Sequence, residues 1–318
     1  MVKKGNKLTI CTIEESIKDF LEELKKKLSK TKVKESTFSR YSFVCERHII
    51  PYFKGLNLNH LNDESINDFV QYKLTNGSLK GKPLSAKTVN DIVCLLLQVV
   101  KNYCKLNNDI DKPSYKQNEI TIFTETEYNK LKTHLSIGMD SRKLGIVVAM
   151  LTGIRIGELC ALKWENINLD NGIISIEKTM QRVKNTDKTK KGKTKIIIDT
   201  PKSSASIRTI PIPAILLNKL EPFKAYANTY LLTNDIGYIE PRSYQRYFKN
   251  YLETCNINNT NFHTLRHTFA TMAVAREVDI KTLSVLLGHT DVSFTMKRYV
   301  HPNIEHKRQQ IEKLAIGF

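Results

Sequence analysis

The sequence is poor in the features that build metal sites, disulfide frames and membrane spans. Its 318 residues include six cysteines and no C-x-x-C pair, which predicts reduced thiols in a reducing compartment. The longest apolar runs, 92–100 and 144–151, are too short to cross a bilayer. The basic N-terminus is not followed by an apolar signal core. We therefore expect a soluble, cytoplasmic protein without membrane contact.

Acidic residues are scarce relative to basic ones. The chain has 50 lysines and arginines against 32 aspartates and glutamates, a formal net charge of +18. Such an excess is typical of proteins that neutralise many phosphates, and it favours a nucleic-acid partner. An ordinary basic protein, or one that binds an anionic membrane, remains the alternative at this point. The sequence also lacks a metal-ligand cluster and a glycine-rich phosphate loop, so we expect no cofactor and no metal.

The first hundred residues predict a small helical domain. Thr12-x-x-Glu15 has the pattern of a capping box, and apolar residues follow it at helical spacing. Three further helices are indicated from about Thr37, after Asp63 and after Ser85. We assign residues 1–107 to this domain, 108–118 to a polar linker containing Pro113, and 119–318 to a second domain.

A lysine cluster lies in and after the first helix. Its charges would either contact a DNA backbone or form a solvated helix face, and the sequence leaves both readings open. The cluster consists of Lys25, Lys26, Lys27, Lys30, Lys32 and Lys34.

The second domain combines helices with a few strands. Its pattern predicts helices near 125–136, 140–152 and 157–163, and strands at 172–177, 195–200 and 207–212. We expect a mainly α protein with a small three-stranded antiparallel β-sheet. The lysine-rich segment 184–195 predicts a mobile hairpin tip, with a DNA-contacting loop as the alternative. From residue 215 the chain is again mainly helical, ending in an amphipathic tail helix at 303–318.

Several basic groups and one phenol occur in an order that suggests phosphoryl transfer. Guanidinium groups bind the non-bridging oxygens of a phosphodiester in a bidentate manner, and a phenol can attack phosphorus covalently. Taken one at a time, these residues are as easily surface ion pairs, exposed lysines or packing aromatics. They are Arg155 in Thr152-Gly153-x-Arg155-x-x-Glu158, Lys202, His263 and Arg266 in H-x-x-R, His289 after Leu287-Gly288, and Tyr299.

As a set, these motifs resemble the signature of the tyrosine recombinase (phage integrase) family over residues 120–302. The helical N-terminal domain is more loosely similar to that family's core-site-binding domain. The resemblance implies a two-domain clamp with a mixed α+β catalytic domain. It further implies that Arg155 and Arg266 hold the scissile phosphate and that Tyr299 is the nucleophile.

The remaining roles also follow from the resemblance. His263 would handle a proton or bind the phosphate, and His289 would hydrogen bond to the same phosphate. Lys202, placed directly before Ser206-x-Arg208-x-Ile210-Pro211, would protonate the departing 5′-oxygen. Glu158 would support Arg155 or the histidines, and we interpret His267 as a packing or capping residue.

The implied function is a site-specific DNA recombinase that needs neither metal nor ATP and integrates or excises a phage or conjugative mobile element. A chromosome-dimer resolvase of the Xer type is the main alternative. A type IB topoisomerase and a non-enzymatic DNA-binding protein are weaker ones. About ten residues precede the first helix, so we expect the protein either to work without arm sites or to use its basic N-terminal residues Lys3, Lys4 and Lys7 for weak phosphate contact.

The implied partners are double-stranded DNA attachment sites and three further copies of the chain in a synaptic homo-tetramer. An excisionase or a host DNA-bending protein is a further candidate partner. We expect the tail at 303–318 to dock on a neighbouring subunit.

Overall fold

The computed structural model describes most of the chain as two compact units. The first comprises Met1–Asn118 with Val183–Lys195, and the second comprises Glu119–Arg182 with Ile196–Phe318. The residues it describes are 11–30, 33–77, 81–104, 106, 109–115, 119–185, 192–201, 203–258, 260–300, 304, 307–308 and 311–312.

The described part of the first unit contains four α-helices. They are α1 (Ile13–Ser29), α2 (Glu35–Val44), α3 (Asp63–Asn76) and α4 (Ala86–Val100). The capping box at the start of α1 is formed, because Thr12 Oγ1 accepts from the Glu15 amide and Glu15 accepts from the Thr12 amide. A π-helical turn, Cys45–Ile49, continues α2. The core of this unit contains Ile13, Ile17, Ile66, Phe69, Val89, Val93 and Leu96.

The ends of the lysine-rich segment are held by ion pairs within the first unit. Lys184 pairs with Glu46, and its backbone amide donates to Ser39 Oγ at 2.7 Å. Lys195 pairs with Glu35. Residues 186–191, between these ends, lie outside the described residues. The predicted mobile tip is thus observed only at its ends, where both lysines have acidic partners.

The second unit contains eight helices and most of the β-structure. Among its described residues the helices are α5 (Glu125–Ser136), α6 (Ser141–Thr152), α7 (Ile156–Ala161), α8 (Ala214–Leu220), α9 (Pro241–Thr254), α10 (Phe262–Ala275), α11 (Ile280–Leu287) and α12 (Val292–Tyr299). Thr124 and Glu127 form a capping box for α5. A large apolar core includes Leu144, Ile146, Trp164, Ile174, Tyr244 and Phe248.

The three-stranded antiparallel sheet has a different membership from the one predicted. It consists of β1 (Ile167–Asn168), β2 (Ile173–Ile176) and β5 (Arg208–Pro211), in the order β1-β2-β5. The predicted strand near 195–200 is β4 (Thr194–Asp199), which instead pairs with β3 (Thr179–Lys184) in a separate sheet. The mainly α fold with a small antiparallel sheet is confirmed. The prediction that β4 belongs to that sheet was wrong. Its partner β3 has no clear alternation of apolar and polar residues, so the sequence did not indicate that strand.

No described helix combines the length and apolar character needed to cross a bilayer. The tail helix predicted at 303–318 falls largely outside the described residues. Only Ile304, Lys307, Arg308, Ile311 and Glu312 are described there, and each of them is helical.

Candidate active site

Arg266 is a buried guanidinium that joins two turns of the second unit. Its side chain leaves α10 and is 2% exposed. One terminal nitrogen donates to the Gly153 carbonyl at 2.9 Å, and the other donates to the Leu287 carbonyl at 2.6 Å. Burial and the neighbouring Arg155 lower its pKa to about 9, so it remains a cation at neutral pH. The same guanidinium therefore fixes the chain ahead of Arg155 and the chain ahead of His289.

Both of these turns depend on a glycine in the left-handed conformation. Gly153 ends α6 with φ +64°, and Gly288 ends α11 with φ +65°. A Cβ at Gly153 would lie 2.6 Å from Phe269 Cδ1. The glycines thus permit both the backbone turn and the close packing around the site.

Arg155 and Glu158 stand at the start of α7. The Arg155 guanidinium donates to Glu158 Oε1 at 2.7 Å and to the Gly288 carbonyl at 3.2 Å. Its side chain is 33% exposed, whereas that of Glu158 is 3% exposed. Arg155 is therefore partly accessible to solvent and able to bind an anion. The buried carboxylate of Glu158 fixes the position of its guanidinium.

Arg208 is a second cation on Glu158 that the sequence reasoning did not assign to the site. Its terminal nitrogens donate to the two Glu158 carboxylate oxygens at 3.2 and 2.9 Å, and its Nε donates to the Leu286 carbonyl at 2.6 Å. Burial disfavours the Glu158 charge, but the hydrogen bonds and charge of Arg208, together with Arg155, lower the pKa of Glu158 overall. Glu158 thus supports Arg155 and not the histidines. The S-x-R-x-I-P motif of β5 was the available signal for Arg208.

His289 is held between Arg266 and Thr295. Its Nε2 lies 2.9 Å from an Arg266 nitrogen, and its Nδ1 lies 2.8 Å from Thr295 Oγ1. Because a guanidinium only donates, Nε2 must accept, and Nδ1 then carries the proton of the neutral ring. Desolvation and the nearby Arg266, Arg155 and Arg208 lower the pKa of His289 to about 4, which fits this neutral form.

Tyr299 is the last residue of α12 and is 6% exposed. Its ring packs with Ala270, Leu283 and Leu287. Its hydroxyl lies 2.8 Å from His267 Nδ1. Desolvation raises the pKa of Tyr299 and outweighs the lowering effect of Arg266, Arg298 and Arg155. The phenol is therefore protonated at neutral pH, and it would need both positive charge and a proton acceptor to attack phosphorus.

His263 and His267 form a ring pair on α10. Their centroids are 4.5 Å apart in an edge-to-face arrangement. Desolvation and nearby cations lower the pKa of both imidazoles to about 4. His267, expected to be a packing or capping residue, packs on His263 and also contacts the Tyr299 hydroxyl. The sequence signal was its i,i+4 spacing from His263.

The structure gathers five of the six predicted site residues in the second unit. Hydrogen bonds connect Arg155 to the Gly288 turn and Arg266 to His289, while His263 packs on His267, which bonds Tyr299. Lys202 lies outside the described residues, so its place in the site stays a prediction. The group combines cations suited to a phosphodiester, neutral imidazoles and a phenol.

Comparison with known proteins gives two family matches. Residues 121–306, more than half of the chain, match the model described as "Phage integrase family". Residues 12–74 match "Phage integrase, N-terminal SAM-like domain".

Two sequence relatives and one solved structure illustrate the similarity. A "Tyrosine recombinase XerC-like" protein of Caldanaerobacter subterraneus subsp. tengcongensis is 32% identical over 215 residues, which are 62% of this chain and 54% of that protein. This chain thus spans about half of that relative's length. The "ICEBs1 integrase" of Bacillus subtilis is 22% identical, and the match covers 88% of this chain and 78% of that integrase. The Tn1549 transposon integrase, solved in complex with transposon right end DNA, superposes with a TM-score of 0.73 at 19% identity. That match covers 96% of this chain and 100% of the integrase chain.

Proposed function

Because the chain belongs to the phage integrase family, we propose that it is a site-specific DNA recombinase that cuts and rejoins DNA through a phosphotyrosyl link to Tyr299. The observation that carries this proposal is the placement of Arg266. Its buried guanidinium bonds His289, and its charge acts on the Tyr299 phenol. A fixed cation beside the reacting groups stabilises the negative charge that develops on a phosphate in the transition state.

The reaction consists of two transesterifications at each strand. The Tyr299 oxygen forms a bond to phosphorus as the bond from phosphorus to the 5′-oxygen breaks, leaving a 3′-phosphotyrosyl link. His263 handles the phenol proton, and Lys202 gives a proton to the departing 5′-oxygen. A 5′-hydroxyl of the partner duplex then attacks the link and releases Tyr299. The phosphodiester energy is kept in the covalent link, so the cycle uses no ATP.

Arg155 and Arg266 stabilise the negative charge that develops on the phosphate oxygens. Arg155 is suited to this role because Glu158 is shared with Arg208, and the group of two arginines and one glutamate keeps a net positive charge. The charge is fixed before DNA binds, so little reorganisation is needed in the transition state.

Replacing the nucleophile tests the proposal. Tyr299→Phe removes only the hydroxyl, so we expect it to abolish covalent protein–DNA adducts on a nicked suicide substrate while site binding is retained. Tyr226→Phe is the matched control, since Tyr226 is 84% exposed, and it should form adducts at the normal rate. Persistent adducts with Tyr299→Phe would refute Tyr299 as the nucleophile.

The most specific form of the proposal is integration and excision of a mobile element. Similarity to the ICEBs1 integrase over most of the chain supports it. Similarity to the XerC-like recombinase supports a chromosome-dimer resolvase as the second candidate. Sequencing of covalent adducts trapped in cells separates them. Adducts at the two ends of an element support the integrase, and adducts at one chromosomal site support the resolvase.

The assembly proposed for this reaction is a tetramer on two duplexes in the cytoplasm, with an excisionase or host DNA-bending protein as a candidate accessory factor. The exposure of Ile304 and Ile311, at 73% and 64%, supports docking of the tail on a neighbouring subunit. We expect deletion of residues 303–318 to abolish cooperative assembly on paired sites in a gel-shift assay, with single-site binding retained. Unchanged cooperativity would contradict docking between subunits.

A further inference from the structure

The hydroxyl of Tyr299 has a direct partner outside the set of residues assigned to the reaction above. His267 Nδ1 lies 2.8 Å from the Tyr299 oxygen, the atom that would attack phosphorus. The two rings are tilted by 50° with centroids 5.8 Å apart. This hydrogen bond links α10, which carries Arg266, to the last residue of α12.

The position of the His267 ring is set from two sides. His263, one turn earlier on α10, packs edge-on against it at 4.5 Å between centroids. Arg266, the preceding residue, is anchored to the Gly153 and Leu287 carbonyls. The contacts of these two neighbours therefore hold the His267 ring, with Nδ1 facing the phenol oxygen of Tyr299.

Tyr299 itself has less support from its own helix. α12 has eight residues, and Val300 directly after Tyr299 is already in extended conformation. The apolar contacts with Ala270, Leu283 and Leu287 hold the ring but do not specify where its oxygen points. The hydrogen bond to His267 supplies that direction.

The protonation state of His267 suits a hydrogen-bond partner of the phenol. Desolvation, with His263, Arg298 and Arg266 nearby, lowers its pKa to about 4, so the ring is neutral at physiological pH. A neutral imidazole can bond the phenol oxygen in either tautomer.

We propose that His267 is a further catalytic residue, which holds the Tyr299 hydroxyl in position for in-line attack on the scissile phosphate. This inference rests on the proposed function. In the step, the Tyr299 oxygen bonds to phosphorus, the bond to the 5′-oxygen breaks, and the protons move through His263 and Lys202 as proposed above. The role proposed for His267 is to set the geometry of the nucleophile.

The first experiment compares two substitutions of His267 by the rate of adduct formation on a suicide substrate. His267→Ala removes the hydrogen bond and should slow cleavage by roughly 100-fold, the order of effect expected when a reacting atom is misplaced by about 1 Å. His267→Asn places an amide close to the position of Nδ1, so most of the rate should return. A full rate in the alanine variant would overturn the proposal, as would an asparagine variant as slow as alanine.

A matched control comes from another histidine of the same unit. His134 lies 5.7 Å from Tyr251 with a 50° tilt, nearly the same ring geometry as the His267–Tyr299 pair. His134→Ala should leave the adduct rate unchanged. A loss as large as that of His267→Ala would mean that removing any such imidazole damages the unit, and the proposal would fall.

The second experiment separates positioning of Tyr299 from general support of the site. In a Tyr299→Gly background, hydrogen peroxide is supplied as an external nucleophile, and strand cleavage is measured with and without His267→Ala. Equal peroxide-driven rates support the proposal, because His267 would then act only through Tyr299. A parallel loss of about 100-fold would overturn it. If Tyr299→Gly gives no peroxide-driven cleavage, the comparison of alanine with asparagine decides. Failure of the proposed function is seen separately, as adducts that persist in Tyr299→Phe.

Discussion

Glu158 is the residue on which the charge balance of the site depends. Its buried carboxylate accepts from both Arg155 and Arg208. The Arg208 side chain is only 3% exposed, so water could not solvate its charge if the Glu158 carboxylate were lost. A buried cation that loses its counter-charge is costly, and this makes Glu158 as important for folding as for holding Arg155.

We expect Glu158→Gln to lower the free energy of unfolding by about 3 kcal/mol, because it leaves Arg208 without its counter-charge at nearly unchanged volume. Urea denaturation followed by circular dichroism measures the loss. Glu23→Gln is the control, since Glu23 pairs with Lys27 on an exposed face of α1. That change should stay within about 0.5 kcal/mol. Equal effects of the two substitutions would contradict the role given to Glu158.

At the scale of elements, the site is assembled from the ends of helices. Arg155 begins α7, His289 follows α11, and Tyr299 ends α12. Arg266 and its neighbours lie within α10, and Glu158 lies within α7. Helix ends bring polar backbone and side chains to one place, and the two left-handed glycines allow those ends to approach closely.

Substituting Gly153 tests this close approach. Gly153→Ala combines a positive φ with a Cβ 2.6 Å from Phe269 and 3.0 Å from Leu287. Gly138 has φ +56° and nothing within 4 Å of its Cβ position, so Gly138→Ala isolates the backbone strain, about 1 kcal/mol. Thermal unfolding should show a clearly larger loss for Gly153→Ala, with slower adduct formation. Similar losses for both variants would mean that packing at Gly153 is unimportant.

At the scale of the whole molecule, burial and positive charge act together on three imidazoles of the second unit. Desolvation, followed by nearby charged groups, lowers the pKa of His263, His267 and His289 to about 4. An ordinary histidine has a pKa near 6.5. The three imidazoles therefore stay neutral in the folded protein at pH values where the unfolded chain protonates them. The free energy of unfolding then depends on pH.

Between pH 6.5 and about 4 the unfolded chain binds protons on these histidines that the folded chain does not bind. Their contribution to stability is therefore complete above pH 6.5 and is lost as the pH falls towards 4. We expect the unfolding temperature to decrease between pH 7 and 4.5. The decrease should be smaller in a His267→Asn/His289→Asn variant, by up to about 2 kcal/mol for each imidazole removed. Calorimetry at both pH values measures this, and equal decreases would show that other groups are responsible.

Local sequence features were sufficient for most of the helical framework. The capping boxes at Thr12 and Thr124 act within one helical turn, so α1 and α5 could be predicted from neighbouring residues alone. Apolar spacing likewise indicated α3, α4 and α6, because a helix face repeats every few residues. The pairing of β4 could not be predicted in this way, since it depends on a partner strand with a weak pattern of its own.

The sequence by itself determined the family and the order of the chemical groups, because motifs such as H-x-x-R and the Tyr299 context are local and ordered along the chain. Only the tertiary structure decided which groups touch. The bonds from Arg208 to Glu158 and from His267 to Tyr299 join residues 50 and 32 positions apart. Such contacts arise from the packing of β5, α7, α10 and α12, and no local pattern encodes that packing. This is why the contact of His267 with the Tyr299 hydroxyl could not be predicted from the sequence.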